Sequence, residues 1–140
     1  MSKEVRNRLR EELARVLYSA VVIDEKSKAV LFTALATKIP QDWKVFAHHM
    51  TIVFGKGLPE ELKGDLGKTV TLSATEVGVS DMAIAVKVSG YPSSNDTPHI
   101  TIAVNTAEGG KPFMSNKITN WETVGAPITL TGVVTEIKAQ

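Results

Sequence analysis

Two histidines in matching surroundings are the residues best suited to chemistry in this chain. His49 is followed by Met-Thr-Ile-Val and His99 by Ile-Thr-Ile-Ala, so the order histidine, apolar, threonine, apolar, apolar occurs twice. One imidazole can accept a proton from an attacking hydroxyl group while the other donates a proton to a leaving oxygen, because histidine titrates near neutral pH. The hydroxyl groups of Thr51 and Thr101 can donate hydrogen bonds to phosphate oxygens. The repeated motif therefore predicts acid–base cleavage of a phosphodiester.

Two other interpretations of these histidines are weaker. A single His-x-Thr motif on a strand is usually structural, but here the two copies use two of the three histidines in the chain. A zinc site built from His48, His49 and His99 is the other alternative. Neighbouring residues of a strand face opposite ways, so we expect only His49 and His99 to share a cleft. We therefore predict no metal and no cofactor.

The composition is that of one folded domain. The 140 residues are 43% hydrophobic and 22% charged, which is too apolar for a disordered chain. The net charge of +1 gives no global positive field for long nucleic acid. With no cysteine, thiolate metal sites and cysteine nucleophiles are excluded. The first residues lack an apolar segment, so we expect a cytoplasmic protein with no membrane partner.

The remaining pattern predicts the elements that position the motifs. Residues 1–16 are expected to form an N-terminal helix with Ser2 as its N-cap, and residues 17–140 are expected to form one domain. The helix either packs on this domain or forms a dimer interface with a second copy of the chain. Both motifs fall on β-branched, alternating segments, and strands are predicted over 48–54 and 99–104. Further strands are predicted over 17–23, 70–75, 82–88 and 128–137, a buried helix over 25–38, and short helices over 59–62 and 115–121. The mixed order, with a hairpin near residue 80, favours an α+β fold.

Three segments resemble a known superfamily. "HHMTIVFGKG", "PHITIAVN" and "GGKPFMSNKITNW" are similar to segments of the 2H phosphoesterases, and in particular of the RNA-repair-like branch, from about Tyr18 to the C-terminus. The resemblance implies a bilobal α+β fold, in which two antiparallel sheets flanked by helices enclose a central cleft. It also implies catalytic roles for His49, Thr51, His99 and Thr101. Members of the superfamily open 2′,3′-cyclic phosphates, cut 2′-5′ linkages, process RNA ends or degrade cyclic oligonucleotide immune signals.

The sequence thus predicts a metal-independent phosphodiesterase acting on a small nucleotide or an RNA end. Two alternatives remain: a hydrolase of cyclic oligonucleotide messengers, and a nucleotide-binding module without turnover. Lys111 and Lys56, each next to glycines in a loop after a motif strand, are candidates for binding phosphate. Four aromatic residues could stack on a base: Tyr18, Trp43, Phe46 and Trp121.

Overall fold

The structure is a computed structural model that describes residues 2–7 and 15–139. The described residues form seven strands: β1 (Val16–Ile23), β2 (Lys44–Val45), β3 (His49–Phe54), β4 (Thr69–Val79), β5 (Ala83–Ser89), β6 (His99–Val104) and β7 (Trp121–Lys138). One α-helix, α1 (Glu25–Leu35), follows β1. Short 3-10 helices span Glu60–Asp65, Thr106–Glu108 and Pro112–Lys117. The last of these is called the 112–117 helix below.

Six of these strands form a closed antiparallel barrel. Their order is β6, β3, β1, β7, β4 and β5, and β5 pairs back to β6, while β2 is an additional strand on β6. The prediction of a bilobal α+β fold with two helix-flanked sheets is therefore wrong. The long strand β7 is the main reason, because its residues 132–138 pair with β1 and its residues 121–133 pair with β4. One strand thus joins what would have been two separate sheets.

The barrel interior is filled by alternate side chains of the strands. Met50, Ile52, Ile100 and Ile102 are at most 1% exposed and belong to one hydrophobic cluster with Leu31 and Leu35 of α1. Strand residues alternate between faces, so the motif histidines and threonines, between these apolar residues, lie on the opposite face. The core therefore fixes which side of β3 and β6 the candidate site occupies.

Helix α1 begins at Asp24, whose carboxylate accepts a hydrogen bond from the amide of Ser27 at 2.8 Å. This is an N-cap, and it satisfies one of the free amides of the first turn. The helix buries only Ser27, Leu31 and Leu35, and Val30 on its outer side is 42% exposed. The predicted helix is confirmed but ends at Leu35, and it is buried on one side only, because only that side packs against the barrel.

The other predicted elements have mixed outcomes. Strands over β1, β3, β5 and β6 and the β4–β5 hairpin are confirmed. The short helix predicted over 115–121 lies earlier, over Pro112–Lys117, and Trp121 already begins β7. Residues 3–7 are helical, with the Ser2 hydroxyl accepting from the Val5 amide at 3.2 Å. Residues 8–14 of the predicted N-terminal helix lie outside the described residues, and Val16 is in a strand. No helix in the described ranges is long and apolar enough to cross a membrane.

Candidate active site

The pairing of β3 with β6 brings the two motifs together. Met50 pairs with Ile100 across these antiparallel strands, and both side chains are fully buried. The residues on either side of this pair, His49, Thr51, His99 and Thr101, are partly exposed on the other face. His49 and His99 are near enough for a positive charge on His99 to lower the pKa of His49. These four side chains are called the quartet below.

A bulge at the start of β3 sets the direction of His49. The segment before β3 pairs with β6 in one register up to Ala47, and the pairing resumes at Met50 in a different register. His48 and His49 are the extra residues between these two paired segments. Ala47 accommodates the insertion with a φ of 45°, which a residue with a side chain rarely adopts. Bulges of this kind re-aim side chains beside active sites.

The same bulge brings the third histidine to the site. Nδ1 of His48 lies 2.9 Å from Nδ1 of His49, and the two ring centroids are 5.1 Å apart. The expectation that these neighbours face opposite ways is therefore wrong. One of the two Nδ1 atoms must carry the hydrogen. For Nε2 of His49 to accept a proton, His49 must donate its Nδ1 hydrogen to His48.

His49 is held in its neutral form at neutral pH. Burial, together with the positive charges that His48 and His99 can carry, lowers the pKa of His49 from 6.5 to about 4. Desolvation acts this way because a charged imidazole loses more by leaving water than a neutral one. The ring of Tyr18 covers His49, with centroids 5.1 Å apart, and burial raises the pKa of Tyr18. A neutral imidazole is the form that a general base requires.

His99 is oriented by the backbone. Its Nδ1 donates a hydrogen bond to the carbonyl oxygen of Thr97 at 2.8 Å. Because a carbonyl can only accept, this contact requires the hydrogen on Nδ1 and leaves Nε2 for proton transfer. The loop that supplies Thr97 is tied to β3 as well, since Ser93 Oγ donates to the carbonyl of Thr51 at 2.8 Å. One loop therefore supports both motifs.

Ser115 is a part of the site that sequence reasoning missed. Its hydroxyl lies 2.8 Å from the hydroxyl of Thr101, and the residue is 1% exposed. If Ser115 donates this hydrogen bond, the Thr101 hydroxyl keeps its own hydrogen, which it donates to the carbonyl oxygen of Pro112 and would release to bind a phosphate oxygen. Nothing in the local sequence indicated this contact, because it depends on how the 112–117 helix folds back onto β6. The carbonyl oxygen of Pro112, in the same helix, lies 3.5 Å from Thr101 Oγ1.

A cleft of about 150 Å³ opens beside His99. It is lined by Asn95, Asp96, Thr97, His99, Ser115, Asn116, Ile118 and Trp121. The indole Nε1 of Trp121 donates to the carbonyl oxygen of Ile118 at 3.2 Å, which holds the ring in place. The ring packs over Gly78, where an added Cβ would lie 2.7 Å from the indole. The cleft lies on the His99 side of the quartet, whereas Tyr18 covers the His49 side.

The structure places some of the predicted binding residues at the site and others away from it. Tyr18 and Trp121 both lie at the site. Lys111 is exposed and directly precedes Pro112, so its backbone lies near Thr101. Lys56 is not brought to the quartet, because it follows the far end of β3.

Two further aromatic candidates have other partners. Trp43 packs against the hydrophobic core, and Phe46 lies beneath the ammonium group of Lys44, whose Nζ is 5.3 Å from the ring centroid. Neither lines the cleft that contains His99 and Trp121. Among the candidates for base stacking, Tyr18 and Trp121 therefore remain.

The described residues contain no group of three histidine, cysteine or acidic side chains that could hold a metal ion. What the site offers is two imidazoles, one of them neutral and one fixed through Nδ1, together with two hydroxyl groups on the same face. That set can move protons and bind an oxyanion. No protein-family model matches the chain, and a search of curated proteins finds no match.

Proposed function

We propose that the chain is a metal-independent phosphodiesterase of the 2H type, acting on a small nucleotide or an RNA end. The observation that carries the proposal is the pairing of Met50 with Ile100, which puts both His-x-Thr motifs on one face of the sheet. Two independent copies of a motif meeting at one place are hard to explain as strand-forming residues alone. The closed barrel differs from the bilobal fold implied by the resemblance, so the proposal rests on the site rather than on the fold.

The environments of the histidines suggest their roles. His49 is neutral at neutral pH, because burial lowers its pKa to about 4, so it serves as the general base. Its Nε2 takes the proton from water or from a ribose 2′-hydroxyl as that oxygen attacks phosphorus. His99, anchored through Nδ1, then gives its Nε2 proton to the oxygen that leaves as the P–O bond breaks. Thr51 and Thr101 stabilise the charge on the non-bridging oxygens.

A second candidate substrate is a linkage between two nucleosides, either 2′-5′ or within a cyclic oligonucleotide. The observation in its favour is an aromatic ring on each side of the quartet. Tyr18 lies against His49, and Trp121 lines the cleft beside His99. Base stacking on an aromatic side chain is worth about 1–3 kcal/mol. A cyclic mononucleotide would use one ring, whereas an internucleotide linkage could use both.

Product analysis with chelator present tests the proposal. Purified protein is incubated in EDTA with 2′,3′-cyclic mononucleotides, 2′-5′ oligoadenylates and cyclic dinucleotides, and the products are separated by chromatography. We expect turnover of at least one class, because the proposed mechanism needs no metal. Loss of activity in EDTA with recovery on adding zinc or manganese would refute the metal-independent mechanism.

Substitution of the histidines tests the assignment. His49→Ala and His99→Ala should each lower kcat by at least about a hundredfold, the lower range for loss of a general acid or base. The double variant should be little worse than either single one, because the residues act together. A nucleotide-binding module would instead bind the panel without converting any member, and near-full activity in either single variant would remove the mechanism.

A further inference from the structure

A lysine lies next to His99 on the same face of the sheet. Lys87 of β5 pairs with His99 of β6 in the antiparallel ladder, and Ala85 pairs with Thr101. Directly opposed residues in such a ladder have Cβ atoms about 4.5–5.5 Å apart. Val86 and Val88, on either side of Lys87, are buried in the core, so the lysine side chain shares the face of the quartet.

Two contacts hold the ammonium group of Lys87 in place. Its Nζ lies 3.0 Å from Oε2 of Glu76, the residue paired with it on β4, and 5.1 Å from the centroid of the Trp121 ring. The side chains of Lys87 and Glu76 are only 33% and 32% exposed. Trp121 and His99 both line the cleft, so Lys87 contacts one residue of the cleft lining and pairs in the ladder with another.

The site needs a cation that the quartet does not supply. A phosphodiester carries one negative charge and gains more as the attacking oxygen bonds to phosphorus. With His49 neutral, the quartet offers at most the imidazolium of His99. The residues lining the cleft include one carboxylate, Asp96, and no lysine or arginine. The carboxylate of Asp96 offsets the one positive charge that His99 can carry, so a neighbouring lysine is needed to give the site a net positive charge.

We propose that Lys87 is the phosphate-binding cation of this site, with Glu76 and Trp121 holding its ammonium group beside His99. Lys87 follows an ordinary alternating strand pattern and has no glycine neighbours, which is why the loop lysines were the predicted candidates. This inference rests on the proposed function for its substrate, but it concerns binding of the phosphate group itself. A binding assay can therefore test it without turnover.

The test is a titration with inorganic phosphate, followed by NMR at the imidazole resonances of His99. In the unmodified protein, phosphate should shift these resonances saturably. Lys87→Met should raise the Kd about tenfold, the equivalent of about 1.4 kcal/mol. Lys87→Arg should restore most of the affinity. Glu76→Gln keeps the ammonium group and should change the Kd less than about threefold, a difference of about 0.7 kcal/mol.

Lys63→Met is the matched control, since Lys63 also pairs with a glutamate, Glu136, at 3.6 Å. That pair lies away from the cleft, so the Kd should not change. Lys87→Gln serves in place of Lys87→Met if the methionine variant fails to fold.

Three results would overturn the inference: no shift of His99 by phosphate, an unchanged Kd in Lys87→Met, or equal losses in Lys87→Met and Glu76→Gln. Equal losses would mean that the pair only supports the sheet. If phosphate binding follows the expectation but no nucleotide is converted, the proposed function fails while the cation assignment stands.

Discussion

Replacing His49 by glutamine should remove a specific part of the protein's acid sensitivity. Burial lowers the pKa of His49 in the folded protein to about 4, whereas an unfolded chain has a histidine pKa near 6.5. Between pH 6.5 and about 4, the unfolded chain therefore binds a proton at this position that the folded chain does not. Folding stability contributed by the neutral imidazole is fully present above pH 6.5 and is lost as pH falls towards the folded pKa.

The size of this loss follows from the two pKa values. One pKa unit corresponds to about 1.4 kcal/mol, so moving from 6.5 to about 4 costs about 2 kcal/mol of stability by pH 5 and about 3 kcal/mol by pH 4. This is a large fraction of the 5–15 kcal/mol that is typical of a folded domain. Glutamine is neutral throughout this range, so His49→Gln should not show this loss of stability at low pH, even if its stability at pH 7 differs.

The assay is urea denaturation of both proteins between pH 7 and pH 4, with the free energy of unfolding compared at each pH. Carboxylates titrate in the same range, but they do so in both proteins and cancel in the difference. Equal losses of stability in the two proteins would refute the argument that His49 is buried and neutral.

The same pKa places the acidic limb of the pH profile of kcat/KM near pH 4. Unperturbed histidines would place it within the range of about pH 5 to 8.5.

Two further predictions concern the threonines of the quartet and Gly78, which lies against the Trp121 ring. Thr51→Val and Thr101→Val should each lower kcat about tenfold to a hundredfold, somewhat less than the loss of a donor from a dry oxyanion site. Thr129→Val, at an exposed position of β7, should leave kcat unchanged. Gly78→Ala should destabilise the fold by about 1–3 kcal/mol in urea, because the new methyl group would overlap the indole ring. Gly64→Ala, where a Cβ meets nothing within 4 Å, should be neutral.

Alternation of apolar and polar residues was enough to locate the two strands that carry the motifs. The bounds of β6 agree with the prediction, and those of β3 differ by one residue. The bulge was not predictable, because Ala47 has a positive φ without the glycine or asparagine that usually marks one. The contact between His48 and His49 follows from that bulge. Regular alternation therefore gave the wrong direction for His48.

The barrel could not be derived for a related reason. The first part of β7 contains Gly125 and Pro127, residues that normally indicate a turn, so the sequence predicted a strand only from Ile128 onward. In the structure, Gly125 has a φ of 90° and the strand bends there while continuing to pair with β4. Pairing between residues far apart in sequence, such as Met50 with Ile100, is set by the whole packing arrangement and has no local signal.

The support that one loop gives to both motifs has a consequence for how such a site can diversify. The quartet residues lie on strands whose opposite faces are buried in the core, whereas Asn95, Asp96 and Asn116, which line the cleft, lie outside the strands. Loops tolerate substitution far better than core strands. If the proposed function holds, evolution or a designer could therefore change the recognised nucleotide by substituting these residues while His49 and His99 stay unchanged. Changes in this loop are limited by Thr97, because its carbonyl oxygen must stay in position to accept the hydrogen bond that orients His99.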